Sequence, residues 1–237
     1  MIRTAFVTML VSGLAASSAR ADDLHIQGRV IVSVDRLSPL FSYSRIRQDQ
    51  GNDSTTSSTS SISLLWSGEP TDFYDIPRLG VDYVVARNIS IGGNLFATLP
   101  MSSTRSQTQN GTTTSRDGAK LNAFGIGVRG GYIMPLAPKV SFWGRGGLSY
   151  ARVGTTNPPG GNGNDVSNSV SQWGLSLEPL FVISPAPHFG FTIGPVLDIP
   201  LSGNQHSEVT VNNMTVSTDT GESQFHFGIT VGMLGAW

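Results

Sequence analysis

Two groups of residues in this 237-residue chain have the types that chemistry needs. The first is His206, Ser207 and Glu208, a base, a nucleophile and an acid side by side. Consecutive residues do not bring three side chains to mutual hydrogen-bond distance, so the triplet is not read as a hydrolytic triad. The second group is spread along the chain: Arg29, Asp35, Asp82, Arg129, Arg145, Glu178 and Asp198. Each sits beside an apolar or small residue in a stretch where polar and apolar positions alternate. A charge buried alone in a low-dielectric interior is costly, so charges that share an inner face must pair or stay hydrated. Three arginines and four carboxylates make this set nearly neutral. Its chemistry is ion pairing and hydrogen bonding, not catalysis.

Nothing else in the sequence asks for a cofactor. There is no Cys, and His25, His188, His206 and His226 lack ligand spacing, so no metal is expected. Gly125-x-Gly127 and the Gly160 to Gly163 cluster open no helix, which a phosphate-binding loop requires. The chain is therefore expected not to be an enzyme. A net charge of −1 without a polybasic tract offers nucleic acid no surface.

The seven charges are placed by strands. Leu24 to Asp35 alternates Ile26, Gly28, Val30, Val32 and Val34 with Gln27, Arg29, Ser33 and Asp35, a period of two. Leu79, Val81, Tyr83 and Val85 oppose Gly80 and Asp82, and after Arg87-Asn88 the run Ile89 to Leu99 alternates again. Phe124, Ile126, Val128 and Tyr132 oppose Arg129 and three glycines; beyond Pro135 to Lys139, Phe142, Leu148 and Tyr150 oppose Trp143 and Arg145. Trp173, Leu175, Leu177 and Phe181 oppose Glu178; beyond Ser184 to His188, Phe189, Phe191, Ile193 and Leu197 oppose Asp198. Ser223 to Trp237 closes the series, with Phe225, Phe227, Ile229, Val231, Met233 and Trp237 on one face and Gln224, His226 and Thr230 on the other. Short connections such as Arg87-Asn88 read as hairpin turns. Four tracts of Ser, Thr, Asn, Gln and Gly, namely Asp49 to Ser63, Met101 to Gly118, Thr155 to Asn168 and Ser202 to Glu222, read as long exposed loops.

Met1 to Ala21 has Arg3, an apolar run and Ala19-Arg20-Ala21, the pattern of a secretory signal with its cleavage site, which leaves residues 22–237 as one domain. After it no apolar run reaches the 18 or so residues of a membrane-spanning helix. Strands longer than ten residues with one greasy face are long enough to cross a bilayer, which takes about 9–11 residues, and only a closed barrel leaves no unpaired edge in lipid. Eight strands joined alternately by short turns and long loops give the expected fold: all-β, an eight-stranded antiparallel up-and-down transmembrane β-barrel. Its apolar faces meet lipid. Aromatic residues near the two strand ends form two belts, Tyr83, Tyr132, Phe142, Phe181 and Phe189 against Phe124, Tyr150, Trp173, Phe225 and Phe227. The seven charges point into the lumen, which at eight strands is just wide enough for side chains to fill. A salt-bridge plug is expected; the alternative is a narrow porin-like channel for ions or small solutes.

The signal, the amphipathic strands and the last strand together resemble the small OmpA/OmpX-like outer-membrane β-barrels of Gram-negative bacteria. The resemblance lies in the whole mature pattern and in Phe227, Ile229, Val231, Met233 and Trp237, which look like that family's assembly signal. It implies insertion by the barrel assembly machinery and transfers no ligand site; the signal implies export to the cell outer membrane, and the barrel is expected without a peptidoglycan-binding domain and without a cofactor. The expected role is structural or surface-interacting, as a monomer among outer-membrane lipid and lipopolysaccharide. Arg45, Arg47, Arg105 and Arg116 are candidates for contact with lipopolysaccharide phosphates or host surfaces.

Overall fold

The computed structural model describes residues 24–50, 53–62, 74, 76–109, 112–157, 165–211 and 214–237. The secretory-signal reading of Met1 to Ala21 lies outside them. Among the described residues, nine strands form one antiparallel sheet: β1 (Val30–Gln50), β2 (Asp53–Ile62), β3 (Arg78–Ala86), β4 (Ile89–Gln109), β5 (Thr112–Ala137), β6 (Val140–Asn157), β7 (Asp165–Ala186), β8 (Phe189–Val211) and β9 (Met214–Ala236). β1 pairs with β9 and closes the ring. Along its other edge β1 meets two strands in succession, β3 over Val30 to Asp35 and β2 over Phe41 to Gln50. β2 and β3 thus share one place, and the ring has eight positions.

The wall is inside out by the standard of a soluble protein. Leu79, Val81, Ile91, Ile126, Val128, Leu148 and Ile193 face outward and exposed, while Asp82, Arg129, Arg145, Glu178 and Asp198 are buried. Water does not sort residues this way; a hydrocarbon surround does, so the barrel is a transmembrane one. The aromatic belts form contacts of their own. Phe124, Tyr150 and Trp173 touch across three strands, with ring centroids 5.9 and 5.1 Å apart, and Phe142 meets Phe181 at the opposite end.

Three two-residue turns close the short end, at Arg87-Asn88, Pro138-Lys139 and Pro187-His188. Each carries a left-handed residue, Asn88, Lys139 or His188, with φ between 61° and 71°. The two proline-containing turns are tighter than their sequences suggested, because β5 and β7 continue as far as Ala137 and Ala186. The first strand starts later than its alternation suggested: Leu24 to Gln27 turn beneath the barrel, and Leu24 packs into its lower core.

The four polar tracts depart most from expectation. They continue the wall as paired hairpins: Arg45 pairs with Ser58, Arg105 with Arg116, Thr155 with Asn168 and Glu208 with Ser217. Thr and Ser lack the apolar surface to form a core, but a strand already held in a sheet needs only backbone partners to extend. β4, β5 and β7 to β9 therefore run 21 to 26 residues, about twice the span of a bilayer.

Candidate functional site

The lumen is built in layers. At the short-turn end, Ile31, Val84, Ile133, Trp143, Val182 and Leu234 point inward from six strands and form an apolar floor, closed below by Leu24 and Ala236. Of these, the alternation had turned Trp143 inward, toward a lumen expected to be polar. Above the floor, six of the seven sequence-identified charges come together. Arg129 bonds Asp82 and Asp35, each at 2.5 Å; Arg145 bonds Asp35 at 2.9 Å and Glu178 at 2.6 Å. Arg29 does not join them. It precedes β1, half-buried, and its carbonyl accepts from the Val84 N–H; the inward side chain of Ile31 stands between its level and that of Asp35.

The residue that completes the chain of charges is Arg36. Its guanidinium bonds Glu178 at 2.8 Å and Asp198 at 2.7 Å, and a third bond goes to the Tyr74 carbonyl at 2.9 Å. Acid and base alternate from Asp82 through Arg129, Asp35, Arg145, Glu178 and Arg36 to Asp198. Strict alternation would have turned Arg36 toward lipid. The β1–β9 register slips between Val34 and Ser38, and Arg36 adopts φ 55°, so Asp35 and Arg36 both face inward. A non-glycine residue in the left-handed region of a strand is uncommon; here it belongs to a bulge that re-aims a side chain. The one sequence trace of it is two adjacent charges where the pattern allows one.

Arg78 is the fourth buried arginine and balances the four carboxylates. Its guanidinium lies 5.4 Å from the Phe96 ring centroid. Trp143 carries the charged layer from below: its ring centre is 4.6 Å from the Arg145 guanidinium carbon and 5.9 Å from that of Arg129, and its Nε1 donates to Ser90 Oγ at 3.1 Å. Gly80 leaves the space in which the Arg129 guanidinium lies, where a Cβ would collide with it.

The upper layer is polar and aromatic. Tyr74, from the connection between β2 and β3, turns into the lumen, packs with Ile76, Phe96, Ala123 and Ala151, and stacks on His226 at 5.5 Å. Its hydroxyl bonds the Gln172 amide, and Gln172 bonds the Gln224 backbone twice. His226 Nδ1 lies 3.0 Å from Asp198 Oδ2 and its Nε2 lies 3.2 Å from Ser42 Oγ. That is the connectivity of an acid, a base and a nucleophile. Tyr74 covers the imidazole, Arg36 occupies Asp198, and Ser42 is 5% exposed. His206, Ser207 and Glu208 form no triad: His206 faces Glu208 at 3.1 Å and Asp219 at 2.6 Å, on the exposed hairpin of β8 and β9.

Those two carboxylates, Asp219 first, raise the His206 pKa above that of a free histidine. A pKa raised in the folded state means that the charged form is the one favoured. The contribution to the hairpin is therefore complete below the unfolded pKa and is lost as pH rises through the folded one. An NMR titration is expected to give His206 a midpoint above the free value, returning toward it in Asp219→Asn.

The residues resembling an assembly signal lie on β9 against β1. Phe227 pairs with Tyr43, Ile229 with Phe41, Val231 with Ser38 and Met233 with Val34. Trp237 exchanges backbone hydrogen bonds with Val30 at 2.9 and 3.0 Å and stacks on His188. Its indole folds back over Gly235, where any Cβ would collide with the ring. Arg45 is exposed on the outer face, two residues beyond Tyr43, and Arg47 pairs with Asp49 at 3.0 Å. The side chains of Arg105 and Arg116 lie outside the described set.

No protein-family model and no curated protein matches the chain. Solved structures do. The outer membrane protein OprG of Pseudomonas aeruginosa is 15% identical, with 89% of this chain and 97% of that one covered at a TM-score of 0.47. The outer membrane protease OmpT of Escherichia coli is 11% identical, with 93% and 99% covered at 0.41. Ail, the attachment invasion locus protein of Yersinia pestis, is 12% identical, with 87% and 99% covered at 0.32. The transmembrane assignment of this chain rests on its own closed ring and outward apolar wall.

Proposed function

We propose that this protein is an outer-membrane scaffold with a plugged lumen, which holds four long β-hairpins above the outer leaflet for contact with the surroundings and does not conduct. The observation that carries the reading is the filled interior: an apolar floor, a continuous ion-pair layer and a polar layer sealed by Tyr74 follow one another along the axis. Each layer alone would obstruct an eight-stranded ring. Rigid scaffolds that carry exposed polar extensions commonly place binding there. In this reading Met1 to Ala21 directs export, the last strand with Phe227, Ile229, Val231, Met233 and Trp237 is recognised by the barrel assembly machinery, and the aromatic belts settle among outer-membrane lipid and lipopolysaccharide.

Planar-bilayer recording tests it. The protein is expected to show no steady openings, whereas Arg129→Ala with Arg145→Ala should admit ions through the emptied layer, provided the variant keeps the heat-modifiable gel shift of a folded barrel. Reproducible openings in the unchanged protein would replace the scaffold reading with that of a narrow channel.

A further inference from the structure

The outer face of the barrel carries an unneutralised cation at a specific depth. On β6, Leu148, Tyr150 and Arg152 alternate with the buried Ser149 and Ala151, so Arg152 shares the lipid-facing side of the wall and is exposed. It lies two residues, about 6.6 Å, beyond Tyr150 along the strand. Tyr150 is the middle ring of the Phe124, Tyr150 and Trp173 contact. Such belts mark the edge of the hydrocarbon, so Arg152 stands at the level of lipid headgroups.

The surroundings of Arg152 are those of a polar groove. It pairs with Phe124 on one side and Ser171 on the other, and it lines a cavity of about 700 Å³ together with Asn122, Thr156, Ser167, Ser169 and His206. Glu208 also reaches this groove but is held by His206, which Asp219 holds in turn. Among the described residues Arg152 has neither an ion pair nor a hydrogen bond of its own. Hydroxyl and amide groups around one free guanidinium, above a row of aromatic rings, suit an anion with several oxygens on an amphiphilic molecule.

We propose that the groove around Arg152 binds a phosphate monoester carried by an outer-leaflet glycolipid, with the guanidinium as the forked donor and the aromatic row against the acyl chains. The proposal rests on the outward orientation of the long hairpins in the scaffold reading.

Binding isotherms of the full barrel in detergent, with bisphosphorylated lipid A, its dephosphorylated counterpart and inorganic phosphate as probes, test it. Arg152→Gln should weaken the bisphosphorylated lipid about tenfold, the loss of one charge-assisted bidentate contact. Arg152→Lys keeps the charge but loses the fork, and should fall between the unchanged protein and Arg152→Gln. The dephosphorylated lipid should bind weakly and equally to both proteins. Equal affinity of the unchanged protein and Arg152→Gln for the phosphorylated lipid would overturn the site. So would inorganic phosphate binding as tightly as the lipid. Orientation is tested separately, by labelling Thr156→Cys on whole cells with a membrane-impermeant maleimide; absence of labelling would remove the outward reading whatever the isotherms gave.

Discussion

Arg36→Ala should destabilise the barrel by about 3–5 kcal/mol, the cost of leaving buried charge without its partner. Arg36 spends every face of its guanidinium, on Glu178, on Asp198 and on the Tyr74 carbonyl, with a side chain 1% exposed. Without it Asp198 keeps the hydrogen bonds of Ser176 and His226 but no arginine bonded to it, and Tyr74 loses one of its ties to the wall. Urea unfolding in detergent, followed by the heat-modifiable shift, measures the loss. Glu178→Gln with Arg36→Ala should recover part of it, because one uncompensated carboxylate goes with the arginine. A midpoint for Arg36→Ala equal to that of the unchanged protein would mean that water already solvates this layer.

Trp143→Ala should cost a similar amount, about 3–5 kcal/mol, by a different route. Among the described residues the indole is the largest fully buried side chain, and it separates the apolar floor from the arginines above. Its removal leaves a cavity among Ile31, Val84, Ile133 and Val182, takes the donor from Ser90, and strips Arg129 and Arg145 of the ring beneath them. Trp143→Phe restores most of the volume and the stacking surface but not the hydrogen bond, and should lie about 1 kcal/mol below the unchanged protein. The same unfolding measurement separates the three. If Trp143→Ala proves as mild as Trp143→Phe, the floor does not support the charged layer.

The two substitutions differ in what made them findable. Trp143 was legible as an inner residue, since it alternates with Phe142 and Leu148, although its apolar surroundings were not. Its neighbours Ile31, Val84, Val182 and Leu234 had the right period but a hydrophobicity that did not distinguish an inner floor from an outer wall. Arg36 was hidden by the very rule that located Asp35: a period of two sends it outward, and a single bulge reverses it. Tyr74 had no period at all, lying in a connection between strands.

The sequence by itself determined the barrel, its lipid-facing side and six members of the charged layer, because a regular strand converts position directly into face. The partners of those charges, the bulge that admits Arg36, the floor under them and the extension of four polar tracts into paired hairpins were decided by tertiary structure alone. Each depends on which strands meet across the ring, and pairing between residues as far apart as Arg36 and Asp198 leaves no local trace. The closing strand shows both halves. Alternation placed Phe227 through Trp237 on one greasy face, while only the closed ring put the Trp237 indole over Gly235, in a space that any side chain there would fill.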